Sequence, residues 1–497
     1  MSGKEDYYQK VLWPKWINDI KISDHHTILL HGIMGSELVD EKKNGTVWLD
    51  LEIGKDIDYL EFASLEPGGG VDIYDQSIYA RSVLNPPLFI PGPYDKFLRQ
   101  VGPGKYCYDW RESIPIEAGR LILFLRKLFD DGFKEKVNFV THSMGGCLLL
   151  WMLRETKEFD DRIKQIIFVA PPFHGALKPL QVLEYGNGIP VDILVNNGHL
   201  RRSVATMPGL FDLLVAPQDA WVTDINIPWQ HNTLQPPVRT ETDIYSLSCW
   251  KNHERWNLRN KILNFTRKYH EDKFAAIPTI LARFNKLSPK VDVNVIVGLN
   301  GKTHIAAEWN DDSEWTIYTS PTPPDGKYSN GDGTVLFQSS ILPGLPAERY
   351  WAFIPKWPGG SPMREDTHGD LLKENNVIQG VLSLLGGSTP DQLEPYNIFA
   401  PNIDLAYELA GDSTPKPCNF DYIDRAHWRG APVVNPVVQN LMNPWDKNMN
   451  KGDAQIYYAT REAAINVLKN QADLKTEATR VGVTPDFLEN HLKRMMT

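Results

Sequence analysis

The stretch VNFVTHSMGG at residues 137–146 decides the fold of this chain. It runs from an apolar strand into a turn centred on Ser143, and residues 147–154 continue with helical spacing. A serine on such a turn is lifted clear of the sheet when the residues two positions away are small. Gly145 meets this requirement, whereas Thr141 stands where glycine is usual. The pattern predicts a nucleophilic Ser143, and its alternative is a turn that arose by chance.

Apolar runs and helical patterns alternate on both sides of this stretch. Short apolar runs predict buried strands at residues 27–30, 165–170, 291–297 and 349–355. Helical spacing predicts helices at residues 117–130, 147–154 and 370–385. Alternating strands and helices are typical of a parallel sheet covered by helices. With the serine turn, they predict an α/β-hydrolase fold with a mostly parallel sheet, helices on both faces and an inserted cap.

The alternation suggests the domain boundaries. It breaks at about residues 177–290, a segment rich in proline and aromatic residues that we interpret as a cap or lid. Glycines and a proline at residues 386–390 predict that a catalytic domain, residues 1–389, ends there. An extension follows at residues 390–497, with helical patterns at 453–469 and 484–496. The cap aromatics either cover an acyl chain or form the cap's own core: Trp221, Trp229, Trp250, Trp256 and Phe265.

A nucleophilic serine needs an oxyanion hole, in which two backbone N–H groups point to the developing negative charge. We expect one from Met144, because it would be the first residue of the helix after Ser143. The other should come from the loop after the first strand, HGIMGS at residues 31–36, with Ile33 as the candidate. The alternative is that this loop is a plain glycine turn.

The general base should be a histidine held by a carboxylate, in the chain order Ser, Asp, His. Among 13 histidines, His368 follows the last predicted strand, whereas His142 and His174 lie too close to the core strands and are interpreted as structural. The carboxylate is best placed at Asp332, in the sequence NGDGTV at residues 330–335. Asp366 and Asp370 are alternatives beside the histidine.

Composition narrows the range of partners. The net charge of −10 argues against nucleic acid and against electrostatic docking on an anionic membrane. Four scattered cysteines, none at metal-ligand spacing, predict free thiols, no metal site and no cofactor. No apolar run is long enough to span a bilayer, and residues 1–10 lack the apolar core of a Sec signal peptide. We expect a cytoplasmic protein, or one exported without a Sec signal.

Several blocks, taken in order, resemble the lecithin:cholesterol acyltransferase family. They are HGIMGSEL at residues 31–38, VWLDL at 47–51, YDWR at 108–111, HSMGG at 142–146, APPFHGA at 170–176, GDGTV at 331–335 and HGDLL at 368–372. The resemblance implies that Ser143, Asp332 and His368 are catalytic and that Ile33 and Met144 form the oxyanion hole. It also implies a cap and lid over the site, and acyl-ester chemistry on lipids without a metal.

The chain departs from the family at recognisable points. It lacks the signal peptide and paired cysteines of secreted members, Cys107 stands where a proline is typical, and residues 390–497 contain no motif that we can name. Trp48, Tyr108 and Arg111 are candidates for substrate contact. For Arg111 the favoured alternative is a buried ion pair with Asp109 that supports the sheet.

The function predicted from these residues is a serine acylhydrolase that forms an acyl-enzyme and releases it to water, in the manner of a lipase or phospholipase. The first alternative is an acyltransferase that passes the acyl group to an alcohol or a second lipid. The second is an esterase of a smaller or xenobiotic ester. Expected partners are an ester or lipid substrate, a transient lipid interface, and a protein docked on the C-terminal region. The least favoured interpretation is a non-catalytic scaffold whose C-terminal region binds a partner.

Overall fold

The structure is a computed structural model. It describes residues 26–40, 45–48, 61, 63–65, 71–73, 78–84, 92–186, 197–217, 244–250, 256–301, 303–309, 315–319, 331–355, 367–396 and 417–418, with isolated positions 473, 475, 476 and 485. The sequence predictions for residues 1–10, 453–469 and 484–496 therefore fall outside the described residues, apart from position 485.

The described residues contain short strands spread over much of the chain. They are β1 (Thr27–Leu30), β2 (Ser36–Asp40), β3 (Gly45–Trp48), β4 (Ala63–Leu65), β5 (Val71–Ile73), β6 (Ile78–Val83), β7 (Gly104–Tyr106), β8 (Val137–His142), β9 (Ile163–Val169), β10 (Asp292–Gly298), β11 (His304–Trp309), β12 (Trp315–Thr319), β13 (Tyr350–Phe353), β14 (Glu394–Pro395) and β15 (Pro417–Cys418).

The helices of the described residues are distributed between these strands. They are α1 (Asp95–Val101), α2 (Ile114–Asp130), α3 (Met144–Glu155), α4 (Lys178–Tyr185), α5 (Asn197–Val204), α6 (Pro208–Phe211), α7 (Trp256–Lys286) and α8 (Asn375–Leu385). None of the described helices is both long enough and apolar enough to cross a membrane.

The main sheet has seven strands in the order β14-β13-β10-β9-β8-β1-β7. All neighbours run parallel except the short edge strand β14, which pairs antiparallel with β13. The interior strand β8 is buried at every position, which is typical of a parallel strand covered on both faces. Since parallel strands end at the same edge, the loops after β1, β8 and β10 converge there.

Helices cover both faces of this sheet. On one face α2 contacts α3, and α3 contacts α7; on the other α1 contacts α8. Helix α2 buries Ile114, Ala118, Leu121 and Leu125, the three-to-four-residue spacing that places one apolar face on the sheet. Helix α3 is buried along most of its length, so the chain that follows Ser143 lies in the core. The predicted α/β-hydrolase fold is confirmed.

The structure differs from the sequence expectations at particular elements. The predicted helix 370–385 is divided into a 3₁₀ helix, His368–Lys373, and α8. Strand β7 was not predicted, because three residues around Lys105 carry too little pattern. The 31-residue helix α7 was also missed, in a segment that proline-rich composition had marked as irregular.

Helix α7 attaches the end of the predicted cap to the sheet domain. It continues through Pro278, and Arg283 near its end forms an ion pair of 2.8 Å with Asp160. The same guanidinium donates to the carbonyl of Leu153 in α3, at 2.9 Å. The last part of residues 177–290 therefore packs on α3. The outline of a separate cap stays a prediction, as does the boundary at residue 389.

Candidate active site

Ser143 lies on a sharp turn between strand β8 and helix α3. Its backbone has φ 53° and ψ −124°, a conformation that is strained for any residue with a Cβ atom. Its N–H donates to the carbonyl of Val169, at 2.9 Å, which ties the turn to the neighbouring strand. A strained serine at the carboxyl edge of a parallel sheet presents its hydroxyl above the sheet.

Two glycines after Ser143 make this turn possible. A Cβ on Gly145 would lie 2.4 Å from the carbonyl oxygen of Leu30, so only glycine lets α3 approach strand β1 this closely. A Cβ on Gly146 would lie 2.8 Å from Pro171 and 3.3 Å from Oγ1 of Thr141. The space left by Gly146 accommodates the threonine that stands where the usual pattern has glycine.

The three side chains singled out in the sequence lie within hydrogen-bond distance of one another. His368 Nε2 is 2.8 Å from Ser143 Oγ, and His368 Nδ1 is 2.7 Å from Asp332 Oδ2. All three residues are buried. Because the carboxylate accepts from Nδ1–H, Nε2 is left unprotonated and accepts the serine hydroxyl. The tertiary structure joins residues separated by 225 and 36 positions.

Asp332 is fixed by its own loop. Its Oδ1 accepts the N–H groups of Thr334 and Val335, at 3.0 and 2.8 Å, which leaves Oδ2 aimed at His368. Its backbone carbonyl accepts the N–H of Thr367, at 2.7 Å. The residue before the histidine is therefore tied directly to the carboxylate residue. Asp370, an alternative carboxylate, instead pairs with Lys373 at 2.8 Å, and Asp366 lies outside the described residues.

The loop after β1 lies against the nucleophile turn. A Cβ on Gly32 would be 2.9 Å from the Cβ of Ser143, and the next residue is Ile33. Met34 has φ 59°, so the backbone reverses immediately after Ile33. Met144 is the first residue of α3, where a backbone N–H has no acceptor within its own helix. These positions fit the expected N–H donors from Ile33 and Met144, whose function stays a prediction.

His31 and Tyr108 hold this loop from behind. Their rings are stacked, with centroids 4.1 Å apart, and the Tyr108 hydroxyl donates to the His31 carbonyl at 2.6 Å. His31 Nδ1–H donates to the Gly32 carbonyl at 2.8 Å, and Nε2 accepts the Tyr108 N–H at 3.3 Å. Burial lowers the pKa of His31 to about 4, so the ring is neutral, as this bonding pattern requires.

The candidates for substrate contact, Trp48, Tyr108 and Arg111, are all buried, with 3%, 2% and 1% of their surface exposed. Trp48 Nε1–H donates to the carbonyl of Met34, at 3.2 Å. Arg111 donates from Nε and Nη2 to the two carboxylate oxygens of Asp109, at 2.9 and 2.6 Å. In this structure Trp48 and Tyr108 support the loop, and Arg111 forms the buried ion pair that was the favoured alternative. A direct substrate contact stays a prediction.

His174 and the described cap aromatics are embedded in the protein, with one exception. His174 is fully buried and burial lowers its pKa to about 3, in line with its structural interpretation. Trp250 is buried and its Nε1–H donates to the Ile244 carbonyl at 2.9 Å, which favours a core role. Phe265 is 68% exposed. Trp221 and Trp229 lie outside the described residues, and of the Trp256 side chain nothing is described.

One residue of the site was missed entirely from the sequence. Tyr94 is buried, and its hydroxyl lies 2.8 Å from the N–H of Gly32 and 2.9 Å from Nδ1 of His142. It precedes α1 in a segment without a motif, so a single sequence offered no signal for it. Among the described residues, no group of three or more His, Cys, Asp and Glu side chains is arranged to hold a metal ion.

A mostly parallel sheet, helices on both faces and a serine turn after the interior strand β8 define the α/β-hydrolase class of fold. Residues 105–343, just under half of the chain, match the family model described as lecithin:cholesterol acyltransferase. The matched range includes Ser143 and Asp332 but neither Ile33 nor His368.

Two relatives support the same family. A phosphatidylcholine-sterol acyltransferase of Gallus gallus is 29% identical over 153 residues, which are 29% of this chain and 36% of the relative. Lecithin-cholesterol acyltransferase-like 4 of Arabidopsis thaliana is 24% identical over 267 residues, which are 49% of each chain. The matches thus span half or less of the length of these curated relatives.

Solved structures are similar in fold alone. A chain of the Tle4–Tli4 complex covers 72% of this chain and 98% of its own length, with 14% identity and a TM-score of 0.40. The lipase BlEst2 of Bacillus licheniformis in its mature form covers 73% of this chain and 94% of its own, with 13% identity and a TM-score of 0.29.

Proposed function

We propose that this protein is a serine acylhydrolase that cleaves carboxylic esters of lipids. The observation that carries the proposal is the pair of hydrogen bonds at His368, 2.8 Å to the Ser143 hydroxyl and 2.7 Å to Asp332. A nucleophile, a base and an orienting carboxylate within reach of one another are the arrangement that acyl transfer through an acyl-enzyme requires. The lipid character of the substrate is supported by the match of residues 105–343 to the lecithin:cholesterol acyltransferase family model.

The mechanism follows from these positions. Ser143 Oγ forms a bond to the ester carbonyl carbon while its proton passes to His368 Nε2. Asp332 holds the imidazole in the required tautomer and stabilises its charged form, and the N–H groups of Ile33 and Met144 stabilise the oxyanion. The carbon–oxygen bond to the leaving alcohol then breaks, and His368 returns its proton to that alcohol. Water, activated by the same histidine, releases the acyl group from Ser143.

A second candidate is transfer of the acyl group to an alcohol instead of water. The names of both relatives, phosphatidylcholine-sterol acyltransferase and lecithin-cholesterol acyltransferase-like 4, favour it. The acyl-enzyme on Ser143 is common to both outcomes, and the acceptor depends on how the site admits water. The predicted compartment, the transient lipid-interface contact and the partner of residues 390–497 stay predictions.

The direct test is labelling with a fluorophosphonate, which reacts with activated serines. We expect one labelled site, Ser143, and a Ser143→Ala variant that stays folded but loses turnover by about 10⁴-fold or more. Ser388→Ala is the matched control, because Ser388 is exposed and its hydroxyl donates to the carbonyl of Ser383. Label on a different serine contradicts the proposal.

A single substrate series separates the remaining alternatives. Esters of increasing acyl length are assayed above and below the micelle threshold, with and without an added alcohol. Free fatty acid from long-chain esters supports the acylhydrolase, and a new ester that appears only with alcohol supports the acyltransferase. Activity confined to short, soluble esters contradicts a lipid substrate and favours the small-ester esterase.

A further inference from the structure

Two buried side chains beside Ser143 have no role in the acyl transfer proposed for Ser143, His368 and Asp332. His142 is the last residue of β8, directly before Ser143, and Tyr94 immediately precedes α1. Their surfaces are 4% and 2% exposed. The His142 ring lies beside that of His368, with centroids 4.9 Å apart. The pair is thus packed between the loop after β1 and the histidine of the site.

The hydrogen positions of this pair follow from their partners. His142 Nε2 is 3.0 Å from the backbone carbonyl of His368, which only accepts, so Nε2 carries the proton. In a neutral imidazole Nδ1 is then an acceptor, and it takes the hydroxyl proton of Tyr94 at 2.9 Å. The Tyr94 oxygen in turn accepts the N–H of Gly32 at 2.8 Å. Every bond therefore points in one direction, from Gly32 to His368.

We propose that Tyr94 and His142 are positioning residues that fix the oxyanion loop and the backbone of His368 relative to each other across Ser143. The proposal rests on the function proposed for Ser143 and His368. We call the chain of hydrogen bonds from Gly32 through Tyr94 and His142 to the His368 carbonyl the relay. One end of the relay is Gly32, whose neighbour Ile33 is the expected oxyanion donor. The other end is the main chain of the general base. The relay therefore controls the distance between the two groups that must act on one carbonyl.

The relay requires one protonation pattern. Burial raises the pKa of Tyr94 well above its usual value, so its hydroxyl keeps the proton that it donates to His142. If His142 carried its proton on Nδ1 instead, Nε2 would face the His368 carbonyl without a proton. Two acceptors would then lie 3.0 Å apart, and the main chain of His368 would lose this anchor.

The variants that test the relay are Tyr94→Phe and His142→Gln. Phenylalanine keeps the ring but removes the hydroxyl that joins Gly32 to His142. Glutamine keeps an N–H that can reach the His368 carbonyl, but with its NH₂ group there it has no acceptor at the position where Nδ1 of His142 meets Tyr94. We expect each to lower kcat by about 10- to 100-fold with KM little changed, because small displacements of catalytic groups act on the transition state. The double variant should be no worse than the poorer single variant, since both break one chain of bonds.

Tyr350→Phe is the matched control. Tyr350 is also buried, and its hydroxyl also accepts a backbone N–H, from Leu342 at 3.0 Å, and donates to the Leu342 carbonyl at 3.1 Å. The residue begins strand β13, away from the site. Its loss should lower the melting temperature as Tyr94→Phe does, and leave kcat unchanged. Equal kcat losses in both variants would show that only general packing is involved, and would overturn the relay.

A spectroscopic readout tests the relay without measuring activity. In protein labelled with nitrogen-15 histidine, His142 is assigned by the signals that disappear in His142→Gln. We expect the parent to hold His142 as the neutral tautomer protonated at Nε2, and Tyr94→Phe to shift the Nδ1 resonance. A His142 protonated at Nδ1 overturns the relay even if Tyr94→Phe fails to fold. Absence of fluorophosphonate label on Ser143 contradicts the proposed function instead, so the two failures are distinguishable.

Discussion

A Cβ atom on Gly32 would lie 2.9 Å from the Cβ of Ser143, closer than real Cβ contacts allow. The backbone of the loop after strand β1 therefore runs directly against the nucleophile turn. This proximity places Ile33, the following residue, beside the serine. The contact joins the loops that follow the neighbouring strands β1 and β8, at the edge where the site lies.

Gly32→Ala should separate these two segments. We expect kcat to fall by about 10²-fold, because the methyl group displaces the loop that supplies an oxyanion N–H. Gly119→Ala is the control, since a Cβ at Gly119 in helix α2 meets nothing within 4 Å. That variant should keep full activity and gain up to ~1 kcal/mol in the free energy of unfolding. Full activity of Gly32→Ala would show that the loop has no catalytic role.

Asp332→Asn should lower kcat by about 10⁴-fold while the protein stays folded. Two N–H groups, those of Thr334 and Val335, already donate to Oδ1 of Asp332. The amide oxygen of asparagine takes that place, so its NH₂ group faces His368 Nδ1. That nitrogen must then accept, which puts the imidazole proton on Nε2 and prevents it from accepting the serine proton.

Asp370→Asn provides the comparison for this substitution. Asp370 is half-exposed and pairs with Lys373, so its loss should change kcat little. The measurement is the steady-state rate on a short ester, with the melting temperature of each variant as a check of folding. An active Asp332→Asn beside an inactive Asp370→Asn would mean that the wrong carboxylate has been assigned.

Protonation of His31 should destabilise the protein in mild acid. Burial lowers the pKa of His31 from 6.5 to about 4, so between these values the unfolded chain binds a proton that the folded protein excludes. The stability contributed by the neutral ring is complete above pH 6.5 and is lost as the pH falls towards 4. The loss amounts to about 3 kcal/mol.

The free energy of unfolding, measured by denaturant titration between pH 4 and 7, tests this prediction. His31→Asn has no titrating side chain at this position, so its stability should fall less steeply with decreasing pH than that of the parent. Buried His174 and His270 add slopes of the same sign in both proteins, because burial lowers the pKa of each. Identical slopes in parent and variant would refute the assignment to His31.

The cysteines should react as slow, buried thiols. Cys107, Cys147 and Cys249 are buried, and burial raises the pKa of Cys107 to about 12 and also that of Cys147. Since the thiolate is the reactive form, we expect little reaction with a thiol reagent in the native protein. Denatured, unreduced protein should titrate four thiols, including Cys418. A count of two would reveal a disulfide and contradict the sequence prediction.

Local patterns in the sequence predict the elements that depend on neighbouring residues, but not the contacts between distant segments. Strands β8 to β10 and the turn at Ser143 were predicted because apolar runs and a glycine two positions on are local signals. Helix α7 was missed because its proline and mixed polarity obscured the helical spacing. The helix also packs on α3, and no local pattern in the sequence shows that contact. Trp48, Tyr108 and Arg111 were identified as important residues, yet their burial behind the loop depends on the packed core.

By itself, the sequence determined the α/β-hydrolase fold, the strand-turn-helix around Ser143, and the order in which Ser143, Asp332 and His368 occur along the chain. Only the tertiary structure decided which groups meet. The bond from His142 to the His368 carbonyl spans 226 positions, and that from Tyr94 to Gly32 spans 62. The physical reason is that periodicity and turn chemistry act within a few residues. A hydrogen bond between distant segments forms only after the sheet and its helices have closed around both partners.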